Sequence, residues 1–339
     1  FLLVSFGGPQ GPGDVIPFLE NVTRGRGIPP ARLAGVAEHY YAFGGVSPIN
    51  QQCRDLLAAV RHDFAASGLS LPAYWGNRNW APYLADTVRA MAQDGVRHAV
   101  AFVTSAYSCY SSCRQYLDDI ERARAAVGPG APRIDKIRRF FNHPGFIEPF
   151  ADHARTALAT LPAEVRDGAH LVFTAHSVPV TMAASSGPGA GGRYPAELNE
   201  AARLVAERVG DGRHPWSLAY QSRSGPPSQP WLEPDVRDHL GDLAKSGTEA
   251  VVVIPVGFVS DHMEVRHDLD VEAAQAAESA GLAFARAATP SSDPRFASMI
   301  TELVRERMAQ PGGTGAVAAL GGMGVPTQTC PADCCGGSR

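Results

Sequence analysis

Short apolar runs alternate with longer stretches of mixed apolar and polar residues along most of the chain. The apolar runs occupy residues 2–6, 72–76, 98–103, 170–174, 216–220, 250–254 and 282–286, and each has the length of a buried strand. Between them, helical patterns cover residues 51–66, 85–94, 145–161, 198–209 and 296–308. This alternation predicts an α/β fold with parallel sheets flanked by helices.

The pattern also predicts how the chain is divided. A boundary within residues 142–150 leaves two α/β halves of similar size, so we predict domains at residues 1–146 and 147–310. From residue 311 to Cys330 the sequence is rich in glycine and proline, a composition typical of a flexible linker. Residues 311–339 are therefore expected to form a tail that carries three cysteines.

Residues 251–272 combine a buried strand with an acidic segment. Glu264, Asp268 and Glu272 follow the strand at four-residue intervals. On a helix this spacing advances by about 400° per step, so the three carboxylates share one face. They are either a path for a divalent metal or solvated acids near a helix N-terminus, where Asp261 and Glu264 have the spacing of a capping box.

One histidine has a position that favours chemistry. His176 lies just beyond the strand predicted at residues 170–174, and the carboxyl ends of parallel strands border the ligand crevice of open α/β sheets. A hydrogen-bonded structural histidine is the alternative. Arg78 follows another predicted strand and has the same kind of position.

Two further segments indicate ligand contacts. Arg24 lies among glycines and is either a solvated side chain or part of a carboxylate clamp. Residues 39–50 are dense in aromatic and turn residues; they either line a flat hydrophobic ligand or form a packed loop. The first turn, residues 6–9, lacks the glycine and lysine spacing of nucleotide-binding loops.

Composition narrows the class of protein. Of the 339 residues, 45% are hydrophobic and 19% charged, which is typical of a soluble globular enzyme. The net charge of -4 gives no reason to expect nucleic acid as a partner. No run approaches the roughly 20 apolar residues of a membrane span. Three of the six cysteines lie in the last ten residues, unlike a secreted disulfide framework, so a cytoplasmic location is expected.

Taken together and in order, five segments resemble the ferrochelatase family. They are residues 6–9, 44–49, 174–179, 220–222 with 231–236, and 255–264. The resemblance covers residues 1–310 and is strongest for the actinobacterial branch, whose substrate is coproporphyrin III. It implies two Rossmann-like, chelatase-type domains with a porphyrin between them, and a C-terminal helix that packs back on the body.

The resemblance also implies roles for individual residues. His176 matches the active-site histidine and Glu264 its acidic partner, and both are expected to meet Fe²⁺. Asp268 and Glu272 match a ladder of carboxylates that leads away from this pair. The implied porphyrin contacts are Ser47, Tyr116, Tyr40, Arg24, Arg78 and Phe6.

At two positions the chain departs from some relatives. Phe6 stands where they carry tyrosine or methionine, and it cannot coordinate iron. His39 stands where they carry an arginine that binds a propionate.

The implied activity is insertion of ferrous iron into coproporphyrin III during haem biosynthesis, by a monomer. His176 would remove pyrrole protons, while Glu264 and the ladder would handle metal entry or proton exit. Protoporphyrin IX is the alternative substrate. Another tetrapyrrole chelatase is a second alternative, although sirohydrochlorin cobalt chelatases lack the string at residues 257–262. A non-catalytic porphyrin or iron–sulfur sensor is the third.

The tail implies a cofactor. Cys330, Cys334 and Cys335 supply three thiolates, whereas a [2Fe–2S] cluster commonly takes four. The resemblance implies that the fourth ligand comes from the middle of the chain, at Cys113, with Cys109 as the substitute. A redox-exposed tail or a zinc site is the alternative.

Overall fold

A computed structural model describes residues 1–25, 27–226, 228–309, 317–331 and 334–336. Two four-stranded sheets with the same strand order form its framework. The first sheet has the order β2-β1-β3-β4, with strands β1 (Leu2–Ser5), β2 (Tyr74–Asn77), β3 (His98–Val103) and β4 (Arg133–Lys136). The second has the order β6-β5-β7-β8, with strands β5 (His170–His176), β6 (Trp216–Gln221), β7 (Ala250–Ile254) and β8 (Ala283–Arg286). Every pairing is parallel.

Helices connect the strands and cover the sheets. In the first half they are α1 (Val15–Val22), α2 (Pro30–Tyr41), α3 (Ile49–Ala66), α4 (Leu84–Gln93) and α5 (Gln115–Val127). The second half contains α6 (Pro144–Thr160), α7 (Ala163–Arg166), α8 (Val180–Ala184), α9 (Arg193–Ala206), α10 (Val236–Lys245), α11 (Met263–His267), α12 (Ala274–Ser279) and α13 (Pro294–Met308). Short 3₁₀ turns lie at Pro12–Asp14, Pro188–Ala190 and Gly210–Gly212. Within the described residues, no helix combines the length and apolarity that a membrane span needs.

The predicted α/β class and all seven predicted strands are confirmed. The strand that the pattern missed is β4, whose sequence Arg-Ile-Asp-Lys contains one buried apolar residue, Ile134. It is an edge strand of the first sheet and pairs only with β3. An edge position needs fewer apolar side chains, so β4 carries no apolar run.

A continuous aromatic core joins the two halves. Phe102 of β3 stacks on Phe140 with ring centres 5.0 Å apart, and Phe146 of α6 meets Phe140 at 5.4 Å. Helix α13 packs on both α3 and α6, as the resemblance implied for the C-terminal helix. Gly145 permits this approach, because a Cβ there would lie 2.6 Å from the Arg295 carbonyl oxygen. Each half contains one complete sheet, so we still propose the division between residues 146 and 147, which falls in the first turn of α6.

The described part of the tail differs from the flexible linker that its composition predicts. The buried Asn142 side chain donates to the Leu320 and Gly324 carbonyl oxygens at 3.1 and 2.9 Å, and the Leu320 N–H returns to the Asn142 carbonyl at 2.8 Å. Arg138 donates to the Ala318 carbonyl oxygen at 2.9 Å. Composition cannot reveal these partners. Residues 310–316, 332–333 and 337–339 lie outside the described part of the chain.

We expect Asn142→Ala to release this segment. The change removes the two hydrogen bonds of the buried Asn142 amide, so the free energy of unfolding should fall by about 1–3 kcal/mol. Hydrogen exchange of residues 318–324 should accelerate. Asn199→Ala is the matched control, because Asn199 is exposed and bonds only within its own helix. Unchanged exchange protection in the Asn142 variant would contradict this account of the tail.

Candidate functional site

The site forms at the carboxyl edge of the second sheet, where three strands end. His176 and Gln221 lie opposite each other at the ends of β5 and β6. After β7, Gly257 turns the chain across β5: its N–H donates to the Thr174 carbonyl at 2.9 Å, and a Cβ there would lie 2.6 Å from that of Ala175. Only glycine fits so close to a neighbouring strand. This turn brings the acidic segment to His176.

His176 and Glu264 face each other. The imidazole Nε2 lies 3.8 Å from the Glu264 Oε2. On the other side of the ring, Nδ1 is hydrogen-bonded to the Ser177 carbonyl oxygen. A carbonyl oxygen only accepts, so Nδ1 carries the proton and the neutral ring keeps a lone pair on Nε2. The His176 side chain is 33% exposed and that of Glu264 51%, so both are accessible to a ligand.

His262 is a residue of this site to which the sequence analysis assigned no role. Its Nδ1 accepts from the Glu264 N–H at 3.2 Å and so caps the N-terminus of α11. Burial lowers the pKa of His262, and nearby His176 acts in the same direction. The sequence signal for this residue was a histidine two residues before Glu264, at the start of a helix.

The acids of this segment fall into two groups, and the capping-box alternative is wrong for Asp261. Asp261 does not cap the helix; it forms an ion pair with Arg286 at 3.2 Å. Asp270 is also paired with Arg286, and with Arg266 at 2.8 Å. These two acids are therefore neutralised by arginines. Glu264, by contrast, has only histidines as charged partners among the described residues.

The predicted helix through the ladder contains a wider turn. Residues Asp268–Ala273 form a π-helical segment between α11 and α12. Asp268 accepts hydrogen bonds from the Ser222 hydroxyl and, at 3.4 Å, from the Gln221 amide. Burial, reinforced by the carboxylates of Glu264 and Glu272, raises the pKa of Asp268 to about 6. The three acids thus interact, as the ladder interpretation requires.

The far end of the ladder offers a donor set for a cation. Ligand atoms of His267, Asp268 and Glu272 all lie within 4.8 Å of one another, the one such group found among the described residues. The His39 ring stacks on His267 with centres 3.7 Å apart, and burial lowers the pKa of His39. His39 therefore lies at this end of the ladder rather than beside His176.

Tyr40 joins the ladder to the first half of the chain. Burial raises the pKa of Tyr40, and Glu264 and Asp268 add to the effect. Its ring contacts Phe18 at 5.9 Å, and Phe18 meets Phe6 at 6.2 Å. An aromatic wall made of these three side chains therefore runs from the acidic segment to the first sheet.

Phe6, Arg78 and Tyr116 form a second group at the carboxyl edge of the first sheet. The Arg78 guanidinium lies 4.8 Å from the Tyr116 ring centre and 5.6 Å from that of Phe6. Its charge is paired with Asp119. Burial raises the pKa of Tyr116, so its hydroxyl stays protonated. Tyr116 is buried and Phe6 half-buried, so Phe6 is the more accessible of the two aromatic side chains.

The remaining two predicted porphyrin contacts are Ser47 and Arg24, and they differ in exposure. Ser47 is buried and packs against the backbone of Gly8, where a Cβ would lie 2.6 Å from that of Ser47. Arg24 is exposed, and its side chain has no hydrogen bond or ion pair to any described residue. Arg24 is thus the one predicted contact whose charge is available at the surface.

Four cysteine thiols lie in a row of neighbours where the tail meets the segment that follows β3. The Cys330 thiol contacts those of Cys113 and Cys334, and the Cys334 and Cys335 sulfurs are 3.8 Å apart. Cys109 instead contacts the Ser111 hydroxyl at 3.4 Å. The structure therefore groups the tail cysteines with Cys113, the internal residue that the resemblance implied first.

The surroundings suit anionic sulfur at Cys330 and Cys335, whereas hydrogen bonds to neighbouring sulfurs, together with burial, raise the pKa of Cys113 and Cys334. Hydrogen bonds from Cys113 and Cys334, aided by the charges of Lys136 and Arg139, hold the pKa of Cys330 well below its usual range. The hydrogen bond from Cys334 lowers the pKa of Cys335 to about 7. Thiolates are the form that binds metals, so the donor set fits an iron–sulfur cluster or a metal ion.

The raised pKa of Asp268 makes stability depend on pH. The folded protein holds this proton up to about pH 6, whereas an ordinary aspartate, with a pKa of 3.8, releases it earlier. The folded state therefore binds more protons between these values, and its stability falls as the pH rises through them. Asp268→Asn should raise the free energy of unfolding by about 1–3 kcal/mol at pH 8, with little gain at pH 4.

Chemical denaturation of metal-free protein at both pH values measures this difference. Asp270→Asn is the matched control, because that carboxylate is paired with Arg266 and Arg286 and its loss should lower stability. A gain at pH 8 that persisted at pH 4 would show that Asp268 is not a strained carboxylate.

Solved structures share the architecture. SirB from Bacillus subtilis with Fe³⁺ matches with a TM-score of 0.52 at 12% identity, over 90% of this chain and 93% of SirB. A multi-domain protein from Deinococcus radiodurans, described as similar to chelatases, also gives 0.52 at 15% identity, over 90% of this chain and 54% of its own. At these identities the likeness shows the fold alone, which is of the predicted chelatase type.

Sequence comparison is more specific. The coproporphyrin III ferrochelatase of Streptomyces coelicolor is 55% identical over 98% of this chain and 92% of its own length, and that of Nocardia farcinica is 56% identical over 100% and 96%. A ferrochelatase of Rhodopirellula baltica is 51% identical over 99% and 92%. The family profile for ferrochelatase matches residues 1–308. The chain therefore belongs to the ferrochelatase family.

Proposed function

We propose that this protein inserts ferrous iron into coproporphyrin III to give Fe-coproporphyrin in haem biosynthesis. The relatives that bear this activity in their names are about 55% identical over nearly the whole chain. The observation that carries the proposal is the accessible His176 Nε2 opposite Glu264. Protoporphyrin IX, which has fewer propionates, is the alternative substrate.

Metal insertion requires a base, because the pyrrole nitrogens must lose their protons before they bind iron. His176 supplies one: its Nδ1–H is held by the Ser177 carbonyl oxygen, so Nε2 can accept a pyrrole proton. An imidazole is well matched to this task near neutral pH. A sensor that only binds porphyrin would not need such a base beside a carboxylate ladder.

The carboxylates serve the metal or the released proton. Oxygen ligands hold a hydrated divalent cation loosely enough to pass it on. Glu264, which no arginine neutralises in the described structure, is placed to meet Fe²⁺ with His176. Asp268 and Glu272 continue the path outward past His267, either for iron moving in or for protons moving out.

We infer that the porphyrin lies between domains 1–146 and 147–310. Phe6 and Tyr40 would contact the ring as members of the aromatic wall that starts at the acidic segment, and Tyr116 would lie beside Phe6 and Arg78. Arg24 would bind a propionate with its available charge. Arg78 would first have to exchange Asp119 for a propionate. Ser47 would contribute by shaping the turn at Gly8.

We also propose that Cys113, Cys330, Cys334 and Cys335 hold a [2Fe–2S] cluster. Their neighbouring thiols, the nearby cations and the Gly187 N–H that donates to the Cys335 sulfur at 3.1 Å suit such a group. When bound, the cluster would cross-link the tail to the body and could exchange one electron. Reduced thiols are maintained in the cytoplasm, where we expect the protein to act as a monomer.

Anaerobic Fe²⁺ insertion, followed through the Soret band with both porphyrins side by side, tests the function. We expect turnover with coproporphyrin III. His176→Ala should reduce the rate by about 10²–10⁴-fold, the usual contribution of a general base, with porphyrin binding retained. His98→Ala is the matched control, since His98 is an exposed histidine paired with Asp135 on the first sheet. Wild-type rates in the His176 variant would overturn the role of the histidine, and preference for protoporphyrin IX would overturn the substrate.

The cluster has its own test. Protein purified without oxygen should contain iron and sulfide and absorb in the visible range. Cys113→Ser and Cys334→Ser should lose that absorbance, whereas Cys109→Ala should keep it because Cys109 bonds to Ser111. Cys53→Ala, at a buried cysteine whose thiol bonds to Ser5 of the first sheet, controls for general damage. Cluster loss in the Cys109 variant but not in the Cys113 variant would reverse the ligand assignment.

A further inference from the structure

One loop contacts both the cysteine-bearing tail and the start of helix α9. It follows helix α8 and leads into α9, and its centre is Gly187. The Gly187 N–H donates to the Cys335 sulfur at 3.1 Å, and the Cys335 N–H donates back to the Gly187 carbonyl at 3.3 Å. Gly187 has φ +82°, and a Cβ there would lie 2.2 Å from the Arg193 side chain. The cysteine-bearing tail is therefore hydrogen-bonded to the backbone of this loop.

From Gly187 the hydrogen bonds continue to Tyr194. The preceding residue, Ser186, is fully buried. Its carbonyl accepts from the Arg193 N–H at 3.0 Å, and its hydroxyl accepts from the Tyr194 N–H at 2.7 Å. The start of helix α9 is thus fixed to the segment that the tail holds.

Tyr194 in turn is hydrogen-bonded to the end of strand β5, which carries His176. Its buried hydroxyl donates to the His176 carbonyl oxygen at 2.8 Å. Burial raises the pKa of Tyr194 well above its usual range, so the hydroxyl remains a donor. The His176 ring bonds the next carbonyl, that of Ser177. The Tyr194 hydroxyl and the His176 ring therefore bond two successive carbonyls of the same strand end.

A second connection links the thiols to the same helix. Arg139, which lies beside Cys113, Cys330 and Cys334, pairs with Glu197 at 3.4 Å. Glu197 lies three residues after Tyr194 on α9 and is buried. It also accepts hydrogen bonds from Ser108, from the N–H at 2.6 Å and from the hydroxyl at 2.7 Å. The cysteine site thus contacts the first two turns of α9 at two points.

We propose that Tyr194 is a positioning residue for His176, and that the tail cysteines control its position through Gly187 and Ser186. The proposal rests on the proposed function of His176. With the tail engaged, the His176 peptide is held and Nε2 faces Glu264. With the tail released, the porphyrin still binds, because neither Tyr194 nor Gly187 is among the proposed porphyrin contacts, but the base is less often in the productive orientation.

Tyr194→Phe tests the first part. A neutral hydrogen bond contributes about 1 kcal/mol, so we expect kcat to fall by about five- to tenfold with KM for coproporphyrin III unchanged. In protein labelled with ¹⁵N-histidine, the His176 signals should lose the single Nδ1-protonated tautomer. Tyr74→Phe is the matched control: it also removes one tyrosine hydrogen bond, to Asp94 at 2.8 Å on the protein surface, and should change neither quantity.

Cys335→Ser tests the connection to the tail. We expect the same change in the His176 signals and faster hydrogen exchange of residues 186–194, with exchange of β3 unchanged. Because both residues act along one path, the double variant should lose no more kcat than the more affected single variant. Cys53→Ala controls for the loss of a buried thiol.

The outcomes separate this proposal from the proposed function. Normal kcat and normal His176 signals in Tyr194→Phe would overturn the positioning role, even if His176→Ala remained inactive. Effects of Tyr194→Phe that were absent from Cys335→Ser, or that multiplied in the double variant, would overturn control by the tail. If the wild-type protein inserted no iron, the function would fail, whereas the ¹⁵N and exchange measurements would still decide whether Tyr194 and Cys335 orient His176.

Discussion

The site depends on the close crossing of Gly257 over strand β5. The backbone of this glycine lies against Ala175 with no space for a side chain, and its N–H continues the bonding of the sheet edge by donating to Thr174. A larger residue would push the chain away from β5 and carry Glu264 away from His176. The Tyr107 hydroxyl, from the first half of the chain, donates to the Val256 carbonyl at 2.8 Å and supports the same turn. The distance between base and acid is therefore fixed by the backbone.

Charge pairing then determines which acids near this turn are available. Asp261 and Asp270 are both paired with Arg286, and Asp270 also with Arg266, and these ion pairs stabilise the fold around the turn. Glu264 and Asp268 have no arginine partner in the described structure, and the proximity of their carboxylates contributes to the raised pKa of Asp268. A cation that enters this region would relieve the repulsion between them. The same sequence segment thus contains structural acids and acids that favour a metal or a proton.

The sequence allowed prediction of whatever depends on local pattern or on a specific motif. The buried strands, the position of His176 at a strand end and its facing of Glu264 follow from apolar runs and from the resemblance. What could not be predicted depends on contacts between distant residues. Strand β4 lacks an apolar run because it lies at a sheet edge, and the π-helical turn at Asp268–Ala273 interrupts a spacing that looks regular. The contacts of Tyr194 with His176 and of Asn142 with the tail join segments whose residue types give no sign of their partners.

The central claim is that His176 presents Nε2 to the nitrogens of a porphyrin held between the two halves of the chain. A crystal structure with metal-free coproporphyrin III, obtained without iron, tests it most directly. We predict a ring between His176 and the aromatic wall of Phe6 and Tyr40, with Nε2 within hydrogen-bonding distance of a pyrrole nitrogen. A ring bound with its nitrogens facing away from His176, or bound outside this cleft, would contradict the account.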